Sequence, residues 1–254
     1  MKKLLLFLFC LILSLYLLSC KSAIVKKQST KGFSTEGLCL FVSFDEVTNS
    51  QFKDMSKNGY TVENSGEVQF TKQGRINGAA TFDGNSDYLT FTACKNNDLG
   101  AAGSSYSVSA WINTAITSES DLWHRSPVVI TKRDPNSKNR PFLFYITMDG
   151  KIGLHFEEPK EEIEGQTIIS DGKWHHIAMR RNGSQAELFV DGKKEIAGNI
   201  TDNDKNNEGL FMIGARFRNN GEPTGFFKGS IDEVRIFTRS LTDNEMLKLF
   251  KQEV

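Results

Sequence analysis

From Gly37 onward, apolar residues fall into short runs: "GLCLFVSF", "AATF", "YLTF", "YSVSAWI", "PVVITK", "FLFYITM", "KIGLHF", "WHHIAMRR", "AELFV" and "LFMIGA". Their length and their β-branched and aromatic content predict strands. Asp-Gly in "MDGK" (148–151) and "VDGK" (190–193), and Asn182-Gly183, each separate two such runs. These dipeptides tolerate the positive φ angles of a tight turn, so three hairpins and an antiparallel meander are predicted. Phe142, Leu143, Phe144 and Tyr145 are consecutive. A strand apolar on both faces suits two sheets packed face to face.

One helix is predicted, in "LTDNEMLKLF" (241–250). Thr242 and Glu245 have the spacing of a capping box, and Leu241 can staple against Met246. Leu247 and Phe250 are three apart and should dock the helix on the body. Asp243 and Glu245 are then explained locally, as negative charge at a helix N-terminus.

The first 35 residues differ. "MKKLLLFLFCLILSLYLLSC" has two lysines, an apolar run from Leu4 to Leu18, and Ser19-Cys20. That run is short for a membrane span and reads as an export signal over 1–19. The ending "LLSC" resembles a bacterial lipobox. The resemblance implies lipidation of Cys20, a polar tether over 20–35, and a bacterial envelope location reached only through the lipid anchor. Residues 36–254 are read as one domain. An exported protein can oxidise its remaining cysteines, Cys39 and Cys94, so a disulfide between them is open. Lys+Arg and Asp+Glu are both 31. Without Lys2 and Lys3 the count is 29 basic against 31 acidic residues, near −2. Nothing in that balance calls for nucleic acid.

Several stretches now occur in a recognisable order: "GRINGAATFDGNSDYLTF", "YSVSAWI", "SDGKWHHIAMRRNGSQAELFVDGKK", "LFMIGA" and "FFKGSIDEVRIFTRSLTDNEM". The set resembles the laminin-G-like jelly-roll domain of the concanavalin A-like lectin/glucanase superfamily. The resemblance implies an all-β, two-sheet antiparallel jelly-roll sandwich with a short C-terminal helix. It covers essentially everything after residue 36.

That fold hosts binding modules and enzymes alike, so the site must decide. A retaining glycosidase needs two carboxyls about 5–5.5 Å apart, which on one strand face means acids at alternate positions. Asp232 and Glu233 are adjacent and diverge, and "HFEEPKEEIEG" (155–165) is interrupted by Pro159. No catalytic residue is assigned, and a hydrolase or lyase of the same fold stays as a second alternative. His175 and His176 are also adjacent, and read as scaffold. Trp174 reads as a core anchor.

Calcium takes six to eight oxygen ligands, mostly from loops. Asp45 ends the first strand and Asp232 begins the last; the resemblance pairs those strands and implies a structural calcium at this end. Asp83 is the third candidate ligand. Strand alternation counts against the set, because it points Asp232 with Val234 and Ile236 and sets Asp45 opposite to Val42 and Phe44, unless a bulge intervenes. Ligand contacts are expected on loops. Trp123 and Arg125 in "TAITSESDLWHRSP", Arg216 in "GARFRNNGEPTGFF", and Tyr145 facing a groove are the candidates. The reading is a non-catalytic envelope module for a glycan, or alternatively a protein-binding adhesin or scaffold for a cell-surface partner.

Overall fold

The computed structural model describes residues 34–48, 51–92, 94, 99–119, 121–133, 140–157, 159–202 and 209–253. The export signal, Cys20 and nearly all of the tether lie outside the described residues. The strands begin with β1 (Leu38–Thr48), β2 (Gln51–Asp54), β3 (Thr61–Asn64), β4 (Gln69–Ile76), β5 (Gly78–Asp83) and β6 (Leu89–Phe91). β7 (Ser105–Asn113) precedes a single 3-10 turn at Trp123–Arg125. β8 (Val128–Arg133), β9 (Arg140–Ile146), β10 (Lys151–Glu157) and β11 (Glu161–Ile168) follow. Then come β12 (Trp174–Asn182), β13 (Gln185–Val190), β14 (Lys193–Asn199) and β15 (Leu210–Ile213). The short pair β16 (Arg216–Phe217) and β17 (Pro223–Thr224), β18 (Lys228–Phe237) and helix α1 (Asp243–Lys251) complete the domain.

All described pairings are antiparallel. One path runs β11-β10-β9-β8-β15-β6-β3-β2-β1-β18-β7-β12-β13-β14, with β5 on β18 and β4 on β5. It folds into two layers around one contiguous core. Tyr106 on β7 reaches across to β9: its ring lies 5.9 Å from Phe142, and its hydroxyl donates to the Pro141 carbonyl at 2.7 Å. Phe211 stacks on Phe91 at 5.0 Å. Each buried phenylalanine contributes about 1.5–3 kcal/mol, so this aromatic seam is a main source of stability.

The expected hairpins form. Asp191 and Gly192 both take positive φ, 49° and 73°, in the turn joining β13 to β14. β1 closes against β18 with Leu40 opposite Ile236. The acid-rich stretch 155–165 becomes the end of β10, a turn, and the edge strand β11. That edge is shielded. Glu195 on β14 accepts from the backbone N–H groups of Gln166 and Thr167, while Glu161 accepts from Thr201.

α1 carries the capping box between Thr242 and Glu245. Leu241 and Met246 share a small cluster with Phe189, Phe237 and Leu249. Leu247 and Phe250 dock the helix as expected, both lying against Gly192 in the β13–β14 turn, with Phe250 stacked on Trp111 at 5.6 Å. Met246 and Leu249, which are buried, add to that face. Of the two tryptophans whose side chains are described, Trp111 is buried and Trp174 is half-buried.

Cys39 and Cys94 are joined by a disulfide with Cα atoms 5.5 Å apart, spanning 55 residues of sequence. A cross-link over that span restricts the unfolded chain. Cys39→Ser/Cys94→Ser is expected to lose about 3 kcal/mol in urea unfolding, and reductant should do the same to the wild type. Unchanged midpoints in both would show the bond to be energetically idle.

Candidate functional site

The two loops singled out in the sequence come together. The connection after β7 ends in the 3-10 turn Trp123–Arg125, where the Arg125 backbone N–H donates to the Leu122 carbonyl at 2.8 Å. Ser126 is buried and its hydroxyl donates to that of Ser118 at 3.0 Å. The second loop is a tight hairpin. The Arg218 backbone N–H donates to the Glu222 carbonyl at 2.8 Å and Asn220 Nδ2 to the Glu222 carboxylate at 2.8 Å. Tyr88 braces it, with its ring 6.4 Å from both Phe217 and Phe226.

Arg216 ties the loops to each other. It is buried and donates to the His124 carbonyl, while the Val128 backbone N–H donates to the Gly225 carbonyl at 2.8 Å. Arg216 is therefore a strut, not a ligand contact, which corrects the sequence expectation. Burial, with Arg133 and Arg218 close by, pushes its guanidinium down to about 10, so it stays charged at neutral pH. Tyr145 is also corrected. It does face away from the main core, but it is 2% exposed and packs with Val128 and Leu143. Its ring lies against Gly153, its cross-strand partner, where any Cβ would collide with it. Its hydroxyl donates to Glu164 at 3.0 Å, and burial raises its pKa. Arg125 and Arg218 are exposed on this platform, together with Asn219, Asn220 and Leu122. The Trp123 backbone is placed in the turn; its side chain lies outside what the structure describes.

At the β1–β18 end, Asp45 Oδ1 accepts from the Gly78 backbone N–H at 3.1 Å and Asp232 Oδ2 from the Ile76 backbone N–H at 2.9 Å. The two acids thus hold opposite sides of the β4–β5 turn. The alternation conflict is resolved by the backbone. Phe44 and Glu233 adopt left-handed φ of 57° and 54°, and β18 slips register between Asp232 and Arg235. Asp232 then stands opposite Trp111, which stands opposite His176. Asp232 is fully buried, and its Oδ1 has no partner among the described residues. Burial pushes its carboxyl up to about 7, with Glu233 and Asp45 adding repulsion. Glu233 pairs with Arg235 at 2.5 Å, and burial raises its pKa too.

Asp83 does not join them. It pairs with Lys228, four residues before Asp232 and so roughly 13 Å along the strand. Its carboxylate instead accepts from the backbone N–H groups of Ser86 and Asn85 at 3.0 and 2.8 Å, bonds that hold its pKa at about 2. Among the described residues no three His, Cys, Asp or Glu side chains converge as a metal cage. An orphaned buried carboxylate oxygen beside a second carboxylate does fit a hard, oxygen-seeking cation whose remaining ligands are carbonyls and water. His175, in contrast, is taken up by Asp191 at 2.9 Å and Asp171 at 3.2 Å, as expected of scaffold.

A profile of the concanavalin A-like lectin/glucanases superfamily, in its laminin-G form, matches residues 83–246. The chain belongs to that superfamily. A comparison with curated proteins finds no match. Among solved structures, the binding domain of Paraclostridial Mosquitocidal Protein 1 is similar at 18% identity and a TM-score of 0.66, over 85% of this chain and 52% of its own. The binding domain of botulinum neurotoxin DC in complex with rat synaptotagmin II is similar at 16% identity and a TM-score of 0.63, over 86% and 52%. A botulinum neurotoxin type C structure, from a toxin whose cell entry depends on two ganglioside molecules, gives the same identity, TM-score and coverage. The chain spans about half the length of these structures. Identities this low establish the shared fold.

Proposed function

We propose that this laminin-G-like domain is a non-catalytic binding module that recognises a carbohydrate, and that the two-loop platform is its recognition surface. The observation that carries the reading is the clamp between the loops. The buried Arg216 strut fixes the Trp123–Arg125 turn against the β16–β17 hairpin. Exposed Arg125 and Arg218 are thereby held on a preorganised surface, which lowers the ordering cost of binding. Guanidinium forks match carboxylates and sulfates, so a glycan bearing an acidic group fits best. Superfamily kinship with binding domains, one of them from a ganglioside-dependent toxin, supports a glycan ligand.

A glycan array followed by titration tests this. Acidic oligosaccharides should bind, and Arg125→Ala with Arg218→Ala should weaken them at least about tenfold, each lost charge-assisted bond being worth about 1.5 kcal/mol or more. Silence across the array would remove the reading. A protein partner is the second reading, favoured by Leu122, which is 44% exposed on the same platform. The synaptotagmin complex of a fold relative is in keeping with it. An enzyme would instead release reducing ends or unsaturated products from a polysaccharide panel.

Two further proposals accompany it. Asp45 and Asp232 hold a structural calcium that pins the β4–β5 turn. The chain is exported and anchored to a bacterial envelope membrane through a lipid on Cys20; the "LLSC" ending and the Cys39–Cys94 disulfide support this. Incorporation of labelled palmitate that Cys20→Ala abolishes is the expected result.

A further inference from the structure

Two of the large apolar side chains that remain exposed, Val47 at 39% and Phe70 at 37%, line one groove of about 780 Å³. It lies where the end of β1 meets β2, β3 and β4, and is separate from the loop platform. A smaller hollow of about 240 Å³ adjoins it, and Glu63 lines both.

The groove is built rather than incidental. Phe70 rests on Gly78, where a Cβ would come within 2.5 Å of the ring's Cε2, so the ring is seated by a residue without a side chain. Gly78 is in turn fixed by its N–H bond to Asp45. The β3–β4 turn forming one wall is clamped by Asn64. Its Oδ1 accepts from the Val68 backbone N–H at 3.0 Å and its Nδ2 donates to the Val68 carbonyl at 2.9 Å. Glu67 in that turn holds a left-handed φ of 71°.

The chemistry of the walls is narrow. Gln51, Gln69, Glu63 and Glu67 supply amides and carboxylates around the aromatic floor. The smaller hollow adds hydroxyls from Thr61, Thr90 and Thr92. Among the described residues, no lysine, arginine or histidine lines either hollow. The carboxylates of Glu63 and Glu67 make no hydrogen bond or ion pair with another described residue. Gln69 commits its Nε2 to the Glu67 carbonyl at 2.6 Å, which leaves its Oε1 for a donor. A fixed aromatic ring ringed by amide, hydroxyl and carboxylate acceptors, without a cation, suits a ligand with one apolar face and many hydroxyl donors.

We propose that this groove is a second binding site, for a neutral oligosaccharide, with Phe70 as the stacking platform and Glu63, Glu67 and Gln69 accepting from sugar hydroxyls. It does not depend on the platform reading, because the platform presents arginines to an acidic glycan, the groove presents neutral and carboxylate acceptors to an uncharged one, and the two share no residue.

The test titrates the full mature chain with neutral tri- to hexasaccharides of the glucan, xylan, mannan and galactan series, with a heparin hexasaccharide and a lysine-rich nonapeptide as contrasts. Binding is followed by backbone amide shifts. At least one neutral oligosaccharide should bind and shift residues 63–70. Phe70→Ala should weaken it about tenfold or more, Phe70→Trp should retain it, and Gln69→Ala should weaken it with the melting temperature unchanged. Arg125→Ala should leave it untouched. No binding by any neutral series, binding that ignores Phe70→Ala in a folded variant, or shifts at 63–70 produced by the basic peptide alone would each overturn the proposal.

Discussion

Acidification from pH 6.5 towards pH 3 is expected to cost the fold up to about 5 kcal/mol through His176, and His176→Phe is expected to remove that component. His176 is buried between Trp111, 5.3 Å away, and Phe250, 6.4 Å away. Its Nδ1 has no partner among the described residues. Burial is the main cause that drives its pKa down to about 3, and the nearby Arg235 cation adds to it. A depressed histidine pKa means the unfolded chain binds the proton first. The stability is fully present above the unfolded value near 6.5 and is lost as pH falls towards the folded value near 3. Urea midpoints measured from pH 4 to 7.5 on wild type and His176→Phe should lie close together at neutral pH and diverge in the acid limb, the wild type falling further. Phenylalanine keeps the aromatic contacts, so the two curves should differ in slope rather than by a constant offset. Parallel curves would mean that His176 is solvated or paired in the native state.

Asp232 works in the opposite direction over nearly the same range, because its folded carboxyl is raised rather than lowered. The wild-type profile in calcium-free buffer is therefore a near-cancellation, and the single variants expose each half. The residues sit in a row across β18, β7 and β12 with Trp111 between them, roughly 10 Å apart. At that separation their effects should add to within a few tenths of a kcal/mol.

What the sequence discloses here follows from the range of the interactions. Asp191-Gly192 and the Thr242–Glu245 box are local, and both form as expected. The Cys39–Cys94 bond depends on where β1 and the segment after β6 meet, a long-range fact that spacing leaves open. Tyr145 reads from the sequence as facing a groove, and the sequence does not show the cover over it. The neighbouring β10 contributes Gly153, whose missing side chain lets the ring lie flat and buried. Arg216 reads as a loop cation, and only the meeting of two loops makes it a strut. The meeting of Asp45 with Asp232 rests on left-handed backbone at Phe44 and Glu233, residues that give no hint of it. Phe70 was overlooked, though a signal exists. It is the one aromatic in β4, a strand otherwise polar except for Ile76, and an aromatic on a polar strand has either a cover or a ligand.

Calcium should raise the melting temperature at pH 8 by about 5–10 °C once free calcium reaches roughly 100 times Kd, the equivalent of ~2.7 kcal/mol. Asp232→Asn should abolish the rise. The sign of the underlying pH effect is fixed by burial. With its folded value near 7 against 3.8 unfolded, Asp232 contributes stability below pH 4 that is lost as pH rises through 7. At pH 8 the calcium-free protein therefore holds a desolvated carboxylate beside Asp45 and Glu233, at a cost of up to about 4 kcal/mol. Two consequences separate this from general stabilisation by salt. Asp232→Asn should stabilise the calcium-free protein at pH 8 and have little effect near pH 4, because the amide mimics the protonated acid. The calcium response of the wild type should shrink from pH 8 to pH 5.5, because a proton must leave before the cation can bind. Magnesium chloride at matched ionic strength serves as the control. A wild type indifferent to calcium at pH 8 would end the calcium assignment, while a pH slope that Asp232→Asn removes would still identify Asp232 as the buried acid that sets it.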